Sequence, residues 1–187
     1  LPGLIEMRMH GRGGQGVVTL AELLAKAAMK NGMEVQTLPF FGVERRGAAV
    51  KAAVRFDEAP IKVRSMSYQP DYLVLLHENL LSIGLADGVA PHGELVVNSL
   101  EPLAADYPQW LVDAVGIALR HDLVVGGEPF INVPMLGALG KVLGIPLEMI
   151  TSTISEQWGP QKASPNLAAA TEAYAAVSKV KGGPAHA

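Results

Sequence analysis

The chain has 187 residues, 49% of them hydrophobic and 18% charged, with a net charge of −3, a balance that is globular and excludes a disordered or broadly polyanion-binding protein. It contains no cysteine, which excludes disulfides, thiol catalysis, cysteine zinc sites and cysteine-ligated iron–sulfur clusters within this polypeptide.

In chain order, Ile5-Glu-Met-Arg-Met-His10 alternates and reads as a strand. Gly11-Arg-Gly-Gly-Gln-Gly16 follows, too glycine-rich for regular structure. Residues 17–30 then place Val17, Leu20, Ala21, Leu24, Ala27 and Ala28 on one helical face, and Asn31-Gly32 supplies the stop. A short strand is expected over 34–38, then a loop over 39–47. Residues 48–56 and 61–64 read as two strands joined across Asp57-Glu-Ala-Pro60, an antiparallel hairpin. Tyr72-Leu-Val-Leu-Leu76 is a short apolar run of the kind buried on both faces of a parallel sheet. Further strands are expected over 94–97 and 112–115, with helices from 116 to 120, 132 to 143, 146 to about 158, and 166 to 179. Strands alternating with helices imply a three-layer α/β/α fold with a mostly parallel mixed sheet and a Rossmann-like start. Residues 4–180 read as a single domain and 181–187 as a disordered tail.

No apolar run reaches the roughly 18 residues of a membrane span, and Leu1-Pro-Gly-Leu4 does not begin a signal peptide, so neither a membrane nor an export route is expected and the cytoplasm is the expected location. The five histidines show no paired metal-ligand spacing, so no metal site is expected. The methionines (Met7, Met9, Met29, Met33, Met135 and Met149) fall among core positions. No serine has a readable His–Asp partnership, and no catalytic residue is assigned.

Two loops carry the chemistry. Gly11-x-Gly13-x-x-Gly16 follows a strand and opens a helix, where glycines let the backbone approach an anion and the first helical N–H groups point at it. Arg12 adds a positive charge. An acidic residue about 20 positions on would complete a nicotinamide dinucleotide site. The segment there is Val35-Gln-Thr-Leu-Pro39, so the loop reads as an anion cradle or as a tight turn. Phe40-Phe-Gly-Val-Glu-Arg-Arg-Gly47 is the second loop. Arg45 and Arg46 suit phosphate or carboxylate recognition, and Glu44 could orient one of them. Both loops follow strands and should lie on the carboxyl edge of the sheet, where ligands bind in open α/β folds. Asn132, ahead of Val133-Pro-Met-Leu-Gly-Ala-Leu-Gly140, either caps a helix or bonds a ligand. Gly137 and Gly140 inside a helix imply close packing against another element or chain.

Together, His10-Gly-Arg-Gly-Gly-Gln-Gly16 (with Gly11, Arg12, Gly13, Gly14, Gln15 and Gly16), Phe40-Phe-Gly-Val-Glu-Arg-Arg-Gly47 (with Glu44, Arg45 and Arg46), and Asn132 with Met135-Leu-Gly-Ala138 resemble the gamma subunit of pyruvate and related 2-oxoacid:ferredoxin oxidoreductases. Asn166 and Tyr174 resemble the closing helix of that family, whereas Ala49 stands where proline is common. The resemblance implies a subunit of a complex that decarboxylates a 2-oxo acid, passes electrons to ferredoxin, flavodoxin or NAD, and forms an acyl-CoA. It implies that thiamine diphosphate, Mg and [4Fe-4S] clusters sit in catalytic thiamine-binding and iron–sulfur partner subunits, and that no cofactor is held by this chain alone. Coenzyme A would lie at or near the glycine loop, Glu44, Arg45, Arg46 and Asn132; the same loops could instead face partner chains. A stand-alone nucleotide or coenzyme A-binding protein is the alternative. No nucleic-acid partner is expected.

Overall fold

The computed structural model describes residues 3–12, 14–39, 49–63, 65, 69–83 and 88–182. Strand β1 (Ile5–Arg12) leads through α1 (Val17–Lys30) to β2 (Glu34–Pro39), and β3 (Ala49–Asp57) inserts antiparallel between β1 and β2. On the other side of β1, strands β4 (Tyr72–Leu75), β5 (Glu94–Asn98) and β6 (Gln109–Val112) add in parallel. Helix α2 (Ala114–Arg120), the two-stranded ribbon of β7 (Val124–Val125) and β8 (Glu128–Pro129), α3 (Asn132–Val142) and α4 (Leu147–Ala176) follow, and β9 (Ser178–Val180) closes the far edge antiparallel to β6. The seven-stranded order is β2-β3-β1-β4-β5-β6-β9. The mixed α/β sheet is therefore as expected, with its parallel strands at the centre.

The three layers are unequal. Met7 and Met9 of β1, Val54 and Phe56 of β3, Val74 of β4 and Val96 of β5 face α1, α2, α3 and α4 in one apolar cluster. All six positions assigned to the apolar face of α1 are buried. Full burial of each larger side chain contributes about 1.5–3 kcal/mol. Period-two alternation sends Leu73, Leu75, Leu95 and Val97 to the opposite face. There they meet Leu80 of the 3-10 segment Glu78–Ile83, together with Val89 and Ala105.

Helices α3 and α4 approach closely because Gly137 has no side chain: a Cβ there would stand 2.1 Å from the Ala170 carbonyl oxygen. At Gly140 it would stand 2.8 Å from Ile150. The close packing read from these glycines is thus met within the chain. Tyr174 fastens the same corner by donating its hydroxyl to the Ile145 carbonyl at 3.1 Å.

Several expectations are corrected, and the strand expected over 112–115 is found at Gln109–Val112, with Ala114 and Val115 opening α2. The antiparallel partner of β3 is β2, with pairing from Glu34↔Asp57 to Pro39↔Ala52, and 61–63 form no strand. Arg55 explains the latter. Its fully buried guanidinium bonds the Val63 and Ser65 carbonyls at 3.3 and 2.5 Å, so this segment crosses the sheet face and does not extend its edge. Residues 178 and 179, assigned to the last helix, form β9 with Val180, because hydrogen bonding to the open edge of β6 outweighs the alanine-rich helical trend upstream. Met29, placed with the core, is 61% exposed on the outer side of α1. The helix expected from 146 and that from 166 are joined through α4, with a break at Gly159, whose φ of 71° and ψ of 166° are non-helical.

Candidate anion site at the carboxyl edge

The chain leaves β1 at the point where the sheet grows in opposite directions, toward β3 and β2 on one side and β4 on the other. Such switch points leave a crevice at the carboxyl ends of strands. Here the glycine loop closes on itself. The Arg12 N–H donates to Gln15 Oε1 at 2.6 Å, and the Gln15 N–H returns to the Arg12 carbonyl at 3.0 Å. Gly14 and Gly16 hold φ of 95° and 73°, conformations that L side chains rarely adopt. Gly11 is needed for space, since a Cβ there would stand 2.5 Å from Val17.

Helix α1 starts at Gly16 with no side-chain cap and no acidic residue in its first turn. Its first N–H groups and the positive end of its dipole are therefore left for another acceptor. Asn132 reaches the same place from α3. A Cβ on Gly16 would lie 3.0 Å from Asn132 Nδ2. Asn132 is fully buried, and neither Nδ2 nor Oδ1 has a hydrogen-bond partner. The N-cap of α3 is Ile131, without a side-chain cap bond, so the capping alternative for Asn132 does not hold. A buried amide without partners costs roughly 1–3 kcal/mol. Both of its atoms are thus available to a group that can donate and accept.

The opposite face of β1 is basic. Glu6, Arg8, His10 and Arg12 alternate with the buried methionines, and His10 lies opposite Lys51 of β3. His10 is 5% exposed and its Nε2 has no hydrogen-bond partner. Burial first, then the charges of Arg8 and Lys51, lower its pKa to about 4, so it is neutral near pH 7. Burial also lowers the pKa of Arg8. Arg55 balances this face farther down, bonding Glu6 Oε1 at 2.5 Å and Gln36 Oε1 at 2.9 Å.

Of the sequence-derived site residues, the structure brings Gly11, Arg12, Gly14, Gln15, Gly16 and Asn132 together at the start of α1. Gly13, Glu44, Arg45 and Arg46 lie outside the described residues. Arg8 and Lys51 were not singled out, although the alternation of β1 carried the signal for Arg8. Asn98 was missed as well. Its Nδ2 donates to the Leu76 carbonyl at 3.1 Å and its Oδ1 accepts from the Ala114 N–H at 3.0 Å, fixing the carboxyl ends of β4 and β5 to α2. No signal in the sequence distinguishes it from any other strand-end asparagine. Beside it opens a crevice of about 360 Å³ lined by His77, Glu78, Leu100, Glu101, Asp113 and Val115, among others. His77 is satisfied locally, its Nδ1 accepting from the Asn79 N–H at 3.2 Å. Among the described residues, no group of three or more His, Asp or Glu side chains is placed to hold a metal ion.

A sequence profile of the pyruvate ferredoxin/flavodoxin oxidoreductase family matches residues 6–176. The chain belongs to this family. It is 41% identical over 181 residues to pyruvate synthase subunit PorC of Methanothermobacter thermautotrophicus, covering 95% of this chain and 98% of that one. Against the pyruvate/ketoisovalerate oxidoreductases common subunit gamma of Thermococcus kodakarensis, identity is 42%, with 91% and 96% covered. The crystal structure of pyruvate oxidoreductase subunit PORC from Thermotoga maritima superposes with a TM-score of 0.80 at 33% identity, covering 95% and 99% of the two chains. The gamma-subunit resemblance read from the glycine loop, the Glu44–Gly47 segment and Asn132 is therefore upheld, and within the oxidoreductase family the chain is of the gamma-subunit type. The same fold occurs in a longer polypeptide. In a 2-oxoglutarate:ferredoxin oxidoreductase from Magnetococcus marinus it fits 100% of this chain onto 33% of that one, with a TM-score of 0.77 at 19% identity. Among the described residues, no helix is long and apolar enough to cross a membrane.

Proposed function

We propose that this gamma-type subunit works in a complex oxidising a 2-oxo acid to its acyl-CoA, and that the start of α1 receives an anionic group of coenzyme A. The observation that carries the reading is the pairing of an uncapped α1 N-terminus with Asn132, whose buried amide has both atoms unspent. The residues suit the ligand. A phosphate oxygen can accept from the first N–H groups of α1 and from Asn132 Nδ2, while Asn132 Oδ1 takes a donor such as a hydroxyl or amide N–H of the same molecule. Arg12 is the cation carried by this loop, and neutral His10 adds no charge. When bound, coenzyme A supplies the thiol that accepts the acyl group. Gly11 to Gly16, Arg12 and Asn132 hold its anionic portion in place. Glu44, Arg45 and Arg46, which follow the second strand, belong to the same proposal through their sequence position.

Thiamine diphosphate, Mg and [4Fe-4S] clusters are assigned to partner subunits, as are the 2-oxo acid pocket and the route to ferredoxin, flavodoxin or NAD. Residues 4–180 would act as one domain, in the cytoplasm. A free-standing nucleotide or coenzyme A-binding protein is disfavoured, because the end-to-end relatives are subunits by name.

Steady-state kinetics of the assembled complex test the site. Arg12→Gln is expected to raise the KM for coenzyme A about tenfold, the loss of a charge-assisted hydrogen bond, with kcat and the KM for the 2-oxo acid little changed. An unchanged coenzyme A KM in a fully assembled variant contradicts the assignment.

A further inference from the structure

Seven large hydrophobic residues are exposed among the described residues, and five of them fall between positions 100 and 125. Leu100 is 76% exposed and lines the carboxyl-edge crevice with Val115. Val115 and Leu119, four residues apart, share one side of α2. The ribbon carrying Val124 and Val125 follows at once, its second strand packed against α2. Isolated exposed hydrophobics need no explanation, but a run of neighbouring ones points to an interaction site.

Charge says what kind of surface fits. Glu78, Glu101 and Asp113 line the crevice beside Leu100 and Val115. Asp122, just ahead of the ribbon, and Glu128, on its second strand, are both exposed. The arginine of this region, Arg120, is already engaged, its Nη2 bonding Glu172 at 2.6 Å and its Nη1 lying 3.6 Å from Asp113. A symmetric contact with a second copy would press these carboxylates against their own equivalents, an arrangement that like charges oppose. The occupant must therefore be a different chain, offering an apolar patch rimmed by lysine or arginine.

We propose that Leu100, Val115, Leu119 and the Val124–Val125 ribbon form the face on which a basic-rimmed partner subunit of the oxidoreductase complex docks. This rests on the gamma-subunit reading and adds to it the location and chemistry of an interface. The face is formed by Leu100 beyond β5, by α2 and by the β7–β8 ribbon, and none of its residues belongs to the glycine loop, so loss of docking and loss of coenzyme A binding are different phenotypes.

The test uses the native complex with the tagged subunit exchanged for variants, measuring partner recovery and the dissociation constant of the purified subunit for the remainder of the complex. The double variant Leu100→Glu/Leu119→Glu is expected to weaken association at least tenfold while circular dichroism stays native. Glu101→Lys alone should weaken it severalfold, and Met29→Glu, on α1, should leave it unchanged. Wild-type association by a correctly folded double variant overturns the proposal. So does a self-associating wild-type subunit whose dimer is abolished by the same substitutions, which would make the occupant a second copy. Failure of the wild-type subunit to bind any partner would instead sink the gamma-subunit reading on which the proposal stands.

Discussion

At the level of single residues, the sheet face opposite the helices carries two buried polar side chains with different degrees of satisfaction, Arg55 and His10. Arg55 is fully buried and bonded to Glu6, Gln36 and two carbonyls, so its charge is compensated. Replacing it by leucine removes its bonds to Glu6, Gln36 and both carbonyls, and should cost about 3–5 kcal/mol in equilibrium urea unfolding. A cost under about 1 kcal/mol would show that the network adds little. His10 gives a pH signature. Its folded pKa of about 4 lies below the usual 6.5, so the unfolded chain binds the extra proton between these values. Stability contributed by neutral His10 is complete above pH 6.5 and is lost as pH falls toward 4, by roughly 3 kcal/mol. Unfolding free energies of wild type and His10→Gln at pH 7 and pH 5 should therefore converge at the lower pH; parallel losses would remove His10 as a cause. The sequence revealed the identities of these residues but not their states. That Asn132 would be left unbonded depends on Ile131 taking the cap position and on Gly16 approaching from another helix, neither of which is a local property.

Secondary-structure elements were legible where a local pattern coincided with the tertiary role. The alternation of 5–10, the helical stripe of α1, the apolar run of β4 and the glycine-bearing α3 all form where their sequences place them. Strand β9 and the pairing partner of β3 were not, for one physical reason. Strand β9 gains its hydrogen bonds from β6, some 70 residues earlier, and β3 gains its from β1 and β2. Pairing partners distant in sequence leave no local periodicity, whereas Asp57-Glu-Ala-Pro60 supplies turn residues that mimic a hairpin. The break in α4 was half visible, since Gly159-Pro160 is a punctuating pair. The α3–α4 contact offers an element-scale test. Gly137→Ala places a methyl group 2.1 Å from the Ala170 carbonyl oxygen, so the helices must separate. Overpacking of this kind costs typically 1–3 kcal/mol, readable as a lowered Tm of the isolated subunit. A neutral or stabilising effect would mean that the two helices slide apart freely.

For the whole molecule, the sheet order creates a switch point at β1, and the glycine loop, the uncapped helix and Asn132 converge there. The convergence was partly readable, because both loops follow strands and parallel sheets gather such loops on one edge. The second half of that reading, Glu44, Arg45 and Arg46, falls outside the described residues. Two kinds of surface result: the anion cradle at the start of α1, and an acidic, apolar face formed by Leu100 beyond β5, by α2 and by the β7–β8 ribbon. A subunit that touches both a small anionic ligand and a larger chain needs two such surfaces. The reading predicts that the protein occurs in a complex whose other chains hold the redox chemistry. Purification of the tagged chain from its native cell extract, with mass spectrometry of the co-purifying chains and assays for thiamine and iron, tests this most directly. Stoichiometric recovery with thiamine- and iron-bearing subunits is the result predicted; a chain recovered alone, free of both, would contradict it.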